Sequence, residues 1–206
     1  MKNDVAGDCT IAAAGHMILS WEADVNKVVQ INDADIIKSY VDVTTLEGAA
    51  YNQLTGDNDN GAVEIDVLNY WRKTGISGHK ISAFAALEPT NNNSLKASVY
   101  IFGGAYIGLE LPISAQYQRV WSIPPGGATG AGSVGSWGGH AVSIVDYNSI
   151  GPVCVTWGSL KQMTWSFYNT YCTEAYAVIS NDFFNGTKTA SGFDLATLQS
   201  DLKLIT

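Results

Sequence analysis

The chain has 206 residues, 46% of them hydrophobic, and a formal net charge of −8 at pH 7. This length suits one globular unit with a sizeable core. Eleven basic residues against nineteen acidic ones argue against nucleic acid and an anionic membrane as partners. The apolar runs are too short to span a bilayer, and we find no secretory signal, so we favour an intracellular or virus-encoded protein and leave the compartment open.

The first half of the chain carries helical patterns. Apolar residues recur at helical spacing after Asp8 and Thr10, which are both candidate N-caps of the first helix. The β-branched and aromatic residues of the fourth pattern disfavour a helix, whereas the first three patterns are regular. The four predicted helices cover 10–24, 32–44, 62–75 and 94–104.

After Gly104 the pattern changes to short alternating runs, which are typical of strands. The predicted strand regions are 105–112, 140–157 (two strands with a turn over 148–152) and 176–180. The segment 194–205 has an amphipathic helical pattern. These elements predict an α+β fold in one domain. Its parts are a helical lobe over about 1–104, an antiparallel β-barrel-like lobe over about 105–180 and a helical tail over about 181–206.

A glycine-rich loop over 124–139 leads directly into His140. A linker would separate two domains, whereas this loop lies inside the strand-rich half. Long loops inside compact domains usually carry a function or move. We therefore predict a mobile flap beside His140.

The chain has three cysteines, Cys9, Cys154 and Cys172. An odd count without a Cys-x-x-Cys pair leaves at least one free thiol and argues against a metal site. A disulfide between Cys154 and Cys172 is a less favoured alternative. Cys9 opens a predicted helix, where the helix N-terminus and a neighbouring imidazolium would lower the pKa of its thiol and create a nucleophile. A cysteine packed in the core is the competing interpretation.

Only one of the three histidines suits Cys9 as a partner. His16 lies two helical turns further on, about 10 Å away, which is too far for a hydrogen bond. His79 is expected to be an exposed loop or strand residue. His140 follows two glycines, which give access, and begins a predicted strand, which would fix its ring.

The arrangement of these residues resembles that of the papain-like cysteine peptidases. Cys9 and His140 are widely separated, helices lie between them, and a strand carries the histidine. In that family a Gln six residues before the cysteine donates to the oxyanion hole, and Asn3 holds that place here. Gly61 and Ala62 resemble the family Gly-Gly stretch that pairs with the substrate backbone. The segments 138–148 and 156–158 resemble the histidine strand and the Asn-Ser-Trp-Gly stretch that shelters the histidine.

The chain departs from the family pattern at two places. Thr10 replaces the aromatic residue that follows the cysteine. The Asn that orients the histidine is absent, since counting from His140 gives Thr156 and counting back from Trp157 gives Val155. Of these two side chains, only that of Thr156 can accept a hydrogen bond. We therefore favour Thr156 and expect its Oγ within about 3.2 Å of a His140 ring nitrogen.

The resemblance implies a papain-like fold of two lobes and a thiol-dependent peptidase acting on a peptide or protein substrate, without a cofactor or metal. Cys9, His140, Asn3 and Thr156 would be its catalytic residues. The expected substrate contacts are Gly61, Ala62, Gly139 and Trp157. An amidase or acyltransferase using the same pair, and a catalytically silent binding or structural domain, are the alternatives. A divergent bacterial or bacteriophage-encoded member is a hypothesis, and the oligomeric state is open.

Overall fold

The computed structural model describes residues 1–184, 187–189, 191–194, 196–197 and 200. This part of the chain forms an α+β fold with five α-helices and a six-stranded sheet. The helices are α1 (Cys9–Asp24), α2 (Asp33–Leu46), α3 (Glu64–Lys73), α4 (Asn92–Phe102) and α5 (Trp165–Tyr171). The strands are β1 (Ile81–Ala86), β2 (Ala105–Leu111), β3 (Gly138–Tyr147), β4 (Pro152–Thr156), β5 (Ser159–Gln162) and β6 (Cys172–Ser180).

The sheet has the strand order β1-β6-β2-β3-β4-β5, and every neighbouring pair is antiparallel. The predicted α+β class is therefore confirmed. All four predicted helices and the predicted strand regions are present, with β3 and β4 joined by the expected turn. Two strands, β1 and β5, and helix α5 were not predicted. Most of the predicted tail helix at 194–205 lies outside the described residues.

Helix α1 is the centre of the helical lobe, because nearly its whole surface is buried rather than one stripe. It packs on β3, and its Trp21 stacks on Trp71 of α3 at 5.6 Å between ring centroids. The Trp21 indole N–H donates to the Phe102 carbonyl over 2.8 Å. The first residue of α1, Cys9, is consequently held on a helix that cannot shift without disturbing the core.

The second core lies on the sheet side and includes Trp121, Phe167 and Tyr171. Helix α4 contributes Leu95 to this core, although the sequence places α4 in the helical lobe. Strand β1 also lies within the first 104 residues and pairs with β6. The sheet side of the fold therefore receives two elements from the first half of the chain, which joins the two lobes.

The glycine-rich loop is anchored over its second half. The Gly132 carbonyl accepts a hydrogen bond from the Tyr171 hydroxyl at 2.6 Å, and the Trp137 N–H donates to the Leu111 carbonyl at 2.9 Å. A side chain at Gly132 would collide with the Gly127 carbonyl. These contacts hold the second half of the loop in place, and the flap stays a prediction for the first half, 124–131. In the described part of the chain, no helix combines the length and apolar character that a membrane crossing requires.

Candidate active site

The site forms where the start of α1 meets the start of β3. The Ala141 N–H donates to the Cys9 sulfur over 3.5 Å, so the residue after His140 contacts the thiol directly. Cys9 and His140 line the same two cavities. The structure thus brings together the cysteine and the histidine that the sequence singled out.

His140 has a hydrogen-bond partner on the neighbouring strand. Its Nε2 lies 2.7 Å from Thr156 Oγ1, within the distance expected from the sequence. Strand β4 alternates between the two faces of the sheet, so Thr156 is buried on the histidine side while Val155 lies half-buried on the other face. When Nε2 carries the hydrogen, it donates to Thr156 and leaves Nδ1 as the acceptor nitrogen.

Trp157 covers this hydrogen bond. Its ring stacks on His140 at 4.6 Å between centroids and 7° between planes, and Trp137 stacks on Trp157 at 5.5 Å. Trp157 and Gly158 form the two-residue turn between β4 and β5, with φ angles of 45° and 72°. Two positive φ values are characteristic of a type I′ hairpin turn, and a bulky residue adopts such a φ only with strain.

The surroundings of Cys9 and His140 favour the uncharged thiol and the uncharged imidazole. Burial lowers the pKa of His140 to about 4. Burial also raises the pKa of the Cys9 thiol, and the nearby acids Glu64 and Asp8 raise it further. The sequence-based expectation of a lowered Cys9 pKa is therefore wrong for the resting site, because the desolvation and the nearby acids outweigh the backbone N–H groups of Ala141 and Thr10, which lower it.

The cleft extends to both sides of Cys9 and His140. The larger cavity has a volume of about 450 Å³ and includes Gly61, Ala62 and Gly139 in its lining. The smaller one, of about 210 Å³, is lined by Asn3, Gly139 and Trp157 among others. All four predicted substrate-contact residues consequently face the cleft, and Asn3 reaches it from the segment just before α1.

A hydrogen-bond network that the sequence did not reveal connects the two walls of the cleft. Asp59 Oδ1 accepts hydrogen bonds from the Gly7 N–H and the Tyr40 hydroxyl, both at 2.8 Å. The Tyr40 oxygen in turn accepts from the Gly61 N–H at 3.0 Å. This network fixes the loop before Cys9 against Gly61. Several acidic and amide residues precede Gly61, so only the folded chain identifies Asp59.

The other two histidines lie outside the cleft lining. His16 is half-buried on α1, and burial lowers its pKa to about 4. The prediction that His79 is exposed is wrong, because its Nδ1 lies 3.0 Å from Asp182 and 3.8 Å from Glu22 in a half-buried position. Among the described residues, these three side chains bring potential metal-ligand atoms within 4.8 Å of one another. None of them lines the cleft.

The remaining cysteines differ from Cys9 in accessibility. All three cysteines lie in the described part of the chain and are free thiols, so the Cys154–Cys172 disulfide considered above is absent. Cys154 and Cys172 are buried, and desolvation raises both of their pKa values to about 12. Cys9 is half-buried at the cleft, which leaves it as the thiol that a reagent can reach.

The fold is that of the papain-like cysteine proteases. A cysteine protease from Carica candamarcensis, CMS1MS2, solved with E-64, superposes with a TM-score of 0.58 at 13% identity, over 85% of this chain and 90% of that chain. Procathepsin L 3 from the Tenebrio molitor larval midgut gives a TM-score of 0.46 at 12% identity, over 78% of this chain and 68% of that one. The clostridial cysteine protease Cwp84 gives a TM-score of 0.42 at 11% identity, over 78% of this chain and 53% of that chain. No family model and no curated protein sequence matches the chain.

Proposed function

We propose that the protein is a cysteine peptidase that hydrolyses peptide bonds through Cys9 and His140. The observation that carries the proposal is a thiol and a histidine that line the same cleft, with the histidine Nε2 already held by Thr156. Nucleophilic catalysis needs this combination of nucleophile, base and orienting group. The likeness to cysteine proteases supports the fold in which such a site occurs.

In the proposed first step, the substrate carbonyl carbon lies above the Cys9 sulfur. His140 Nδ1 takes the thiol proton as the sulfur–carbon bond forms, because the resting pair is uncharged. The carbonyl oxygen becomes an oxyanion, which accepts hydrogen bonds from the Cys9 N–H and the Asn3 amide. Thr156 keeps Nε2 protonated throughout and thereby selects the tautomer that leaves Nδ1 free.

The second half of the cycle returns the proton. The His140 imidazolium protonates the leaving amine, the carbon–nitrogen bond breaks and an acyl-enzyme remains on Cys9. His140 then takes a proton from water, whose oxygen attacks the acyl carbon. The thioester breaks, the carboxylic acid leaves and the Cys9 thiol is restored.

Two other functions use the same structure. An amidase or acyltransferase would share the acyl-enzyme and differ in the group that leaves or enters. A silent binding domain is favoured by one observation, namely that the pKa shifts of Cys9 and His140 both favour the uncharged pair. An experiment can distinguish these functions from a peptidase, because only a peptidase releases new peptide termini in water.

The test combines labelling with turnover. The protein is incubated with E-64, a thiol-directed epoxide, and with a library of internally quenched peptides. We expect modification of Cys9 alone, located by mass spectrometry, and loss of peptide cleavage in proportion to labelling. Labelling without cleavage of any peptide would identify an acyltransferase or a silent domain, and the addition of an acceptor amine distinguishes these two.

The orienting role of Thr156 gives a separate prediction. Thr156→Val keeps the side-chain shape and removes the hydrogen-bond acceptor, so we expect kcat to fall about tenfold because the wrong tautomer and rotamer of His140 compete. Thr156→Asn restores the amide of the family pattern and should raise kcat. Val155→Thr, on the opposite face of β4, is the control and should change nothing. Equal rates for Thr156→Val and the unmodified protein would exclude this role.

The oxyanion role of Asn3 is tested in the same way. Asn3→Ala should lower kcat by about 10²–10³ with little change in KM, since the amide acts mainly on charge that develops in the transition state. Asn3→Gln provides the longer amide of the family and should retain most of the rate. Asp4→Ala, on the exposed neighbour, is the control. A change in KM alone would show that Asn3 binds substrate rather than the oxyanion.

A further inference from the structure

The larger cavity of the cleft has an acidic lining. Four glutamates face it, and they come from four different elements of the fold. Of the described residues that line it, none is a lysine or an arginine. The four glutamates are Glu47 after α2, Glu64 at the start of α3, Glu110 on β2 and Glu174 on β6.

Glu64 differs from an ordinary acidic residue at a helix start. Only 7% of its surface is exposed, and its Oε2 is inaccessible and has no hydrogen-bond partner among the residues described. The carboxyl group lies against Gly108 of β2, where a side chain would collide with it. The backbone of β2 therefore leaves room for a carboxyl group in the wall of the cavity.

An unpaired carboxyl group in this position destabilises the fold unless something compensates it. Burial, together with the nearby Glu174, raises the pKa of Glu64 to about 8. Glu47 and Glu174 already have partners, since Glu47 accepts from the Val63 N–H and Glu174 from the Tyr176 hydroxyl, each at 2.8 Å. Glu64 is thus a buried acid without a hydrogen-bond partner at the wall of the cavity that begins at Cys9.

We propose that this cavity binds a cationic group of the substrate, with Glu64 as its ion-pair partner. The inference rests on the proposed function, because it assumes a peptide held at Cys9. An ammonium or guanidinium group donates several hydrogen bonds and favours the ionised carboxylate. A bound anion would add to the repulsion from Glu174, and an apolar side chain would leave the Glu64 carboxyl group without a partner. The cation is a Lys or Arg side chain or the free α-amino group, which share this chemistry.

The first experiment measures selectivity in turnover. Nα-acetylated, internally quenched peptides carry Lys at each position in turn and are compared with norleucine, which lacks the ammonium group. We expect one position at which Lys raises kcat/KM at least about tenfold, as a hydrogen bond to a charged group allows. In Glu64→Gln this Lys-to-norleucine ratio should fall to near one, whereas Asp66→Asn, exposed on the same helix, should retain it.

Peptides with free amino termini distinguish the two sources of the cation. A selectivity that Glu64→Gln abolishes and that occurs only with free amino termini shows that the cavity binds the α-amino group. A preference for Lys over norleucine in the acetylated peptides shows that it binds a side chain. A ratio that is unchanged in a folded Glu64→Gln protein overturns the proposal. Glu174→Gln serves as the second variant, and its ratio should fall by less than that of Glu64→Gln.

The second experiment does not require turnover. Two methanethiosulfonate reagents, one with a trimethylammonium group and one with a sulfonate group, modify Cys9, and the ratio of their rates reports the local charge. We expect the cationic reagent to react at least about tenfold faster, and the ratio to fall in Glu64→Gln. A high ratio without any peptide cleavage would reject the peptidase while supporting a cation-binding cavity. Cleavage with equal reagent rates and no Lys preference would reject this inference alone.

Discussion

Replacing Cys9 by Ala is expected to abolish peptide cleavage, with a fall in kcat of at least about 10⁴, because the acyl-enzyme cannot form without the sulfur. The fold should persist, since Cys9 is only half-buried and lines the open cleft. Its free energy of unfolding should change by less than about 1 kcal/mol. Steady-state kinetics and urea denaturation of the same preparation measure both quantities.

Cys154→Ala is the matched control. This thiol is fully buried in the core of the β lobe, so its loss should destabilise the protein by about 1–2 kcal/mol while cleavage continues. The two variants should therefore show opposite phenotypes. If Cys9→Ala unfolds more easily and still cleaves peptides, Cys9 is a core residue and the peptidase proposal fails.

The stability of the protein should fall as the pH rises from 6.5 to 8. Asp8 and Glu64 are buried, and desolvation raises their folded-state pKa values to about 7 and about 8. In this interval the unfolded chain has already lost both protons, whereas the folded protein releases them only as the pH passes about 7 and about 8, so rising pH favours unfolding. At 1.36 kcal/mol for each pH unit, the two groups together should lower the free energy of unfolding by about 2 kcal/mol.

Two histidines act in the opposite direction, mainly below this interval. Burial lowers the folded-state pKa values of His16 and His140 to about 4, so their contribution to stability rises with pH through the unfolded value of about 6.5 and is nearly complete about one pH unit above it. Comparison of each variant with the unmodified protein, by urea denaturation at pH 6.5, 7, 7.5 and 8, cancels the histidine contribution and isolates the carboxyl groups. Glu64→Gln should remove most of the decline and Asp8→Asn the rest, whereas Asp66→Asn should preserve it. A decline of equal size in Glu64→Gln would contradict the assignment.

The sequence was sufficient to predict the elements that are buried over most of their length. Helix α1 and strands β2 and β3 are rich in apolar residues for this reason, and their apolar runs predict them. Helix α5 was missed because its seven residues are mostly aromatic or β-branched, and its stability comes from the Thr164 cap and from burial of its rings. Strand β1 was missed because its exposed and buried residues do not alternate.

The candidate site likewise contains residues that the sequence could predict and residues that it could not. Cys9 and His140 could be paired because each lies at the start of an element, and Thr156 because the alternation of a strand excludes Val155. Asp59 and Tyr40 could not be found, since their hydrogen bonds to Gly7 and Gly61 join distant parts of the chain. Glu64 has the sequence context of an ordinary acid in the first turn of a helix. Its carboxyl group lies against Gly108 of β2, in a distant part of the chain, and the sequence does not show this contact.

The turn at Trp157 and Gly158 has a consequence for anyone who engineers this protein for heat resistance. Asn-Gly is the preferred pair for a hairpin turn with two positive φ angles, and a bulky residue at the first position costs about 1–3 kcal/mol. The substitution that removes this strain is Trp157→Asn. The same change would remove the ring that covers His140 and admit water to its hydrogen bond. At this position, relief of backbone strain and protection of the His140 hydrogen bond demand different residues.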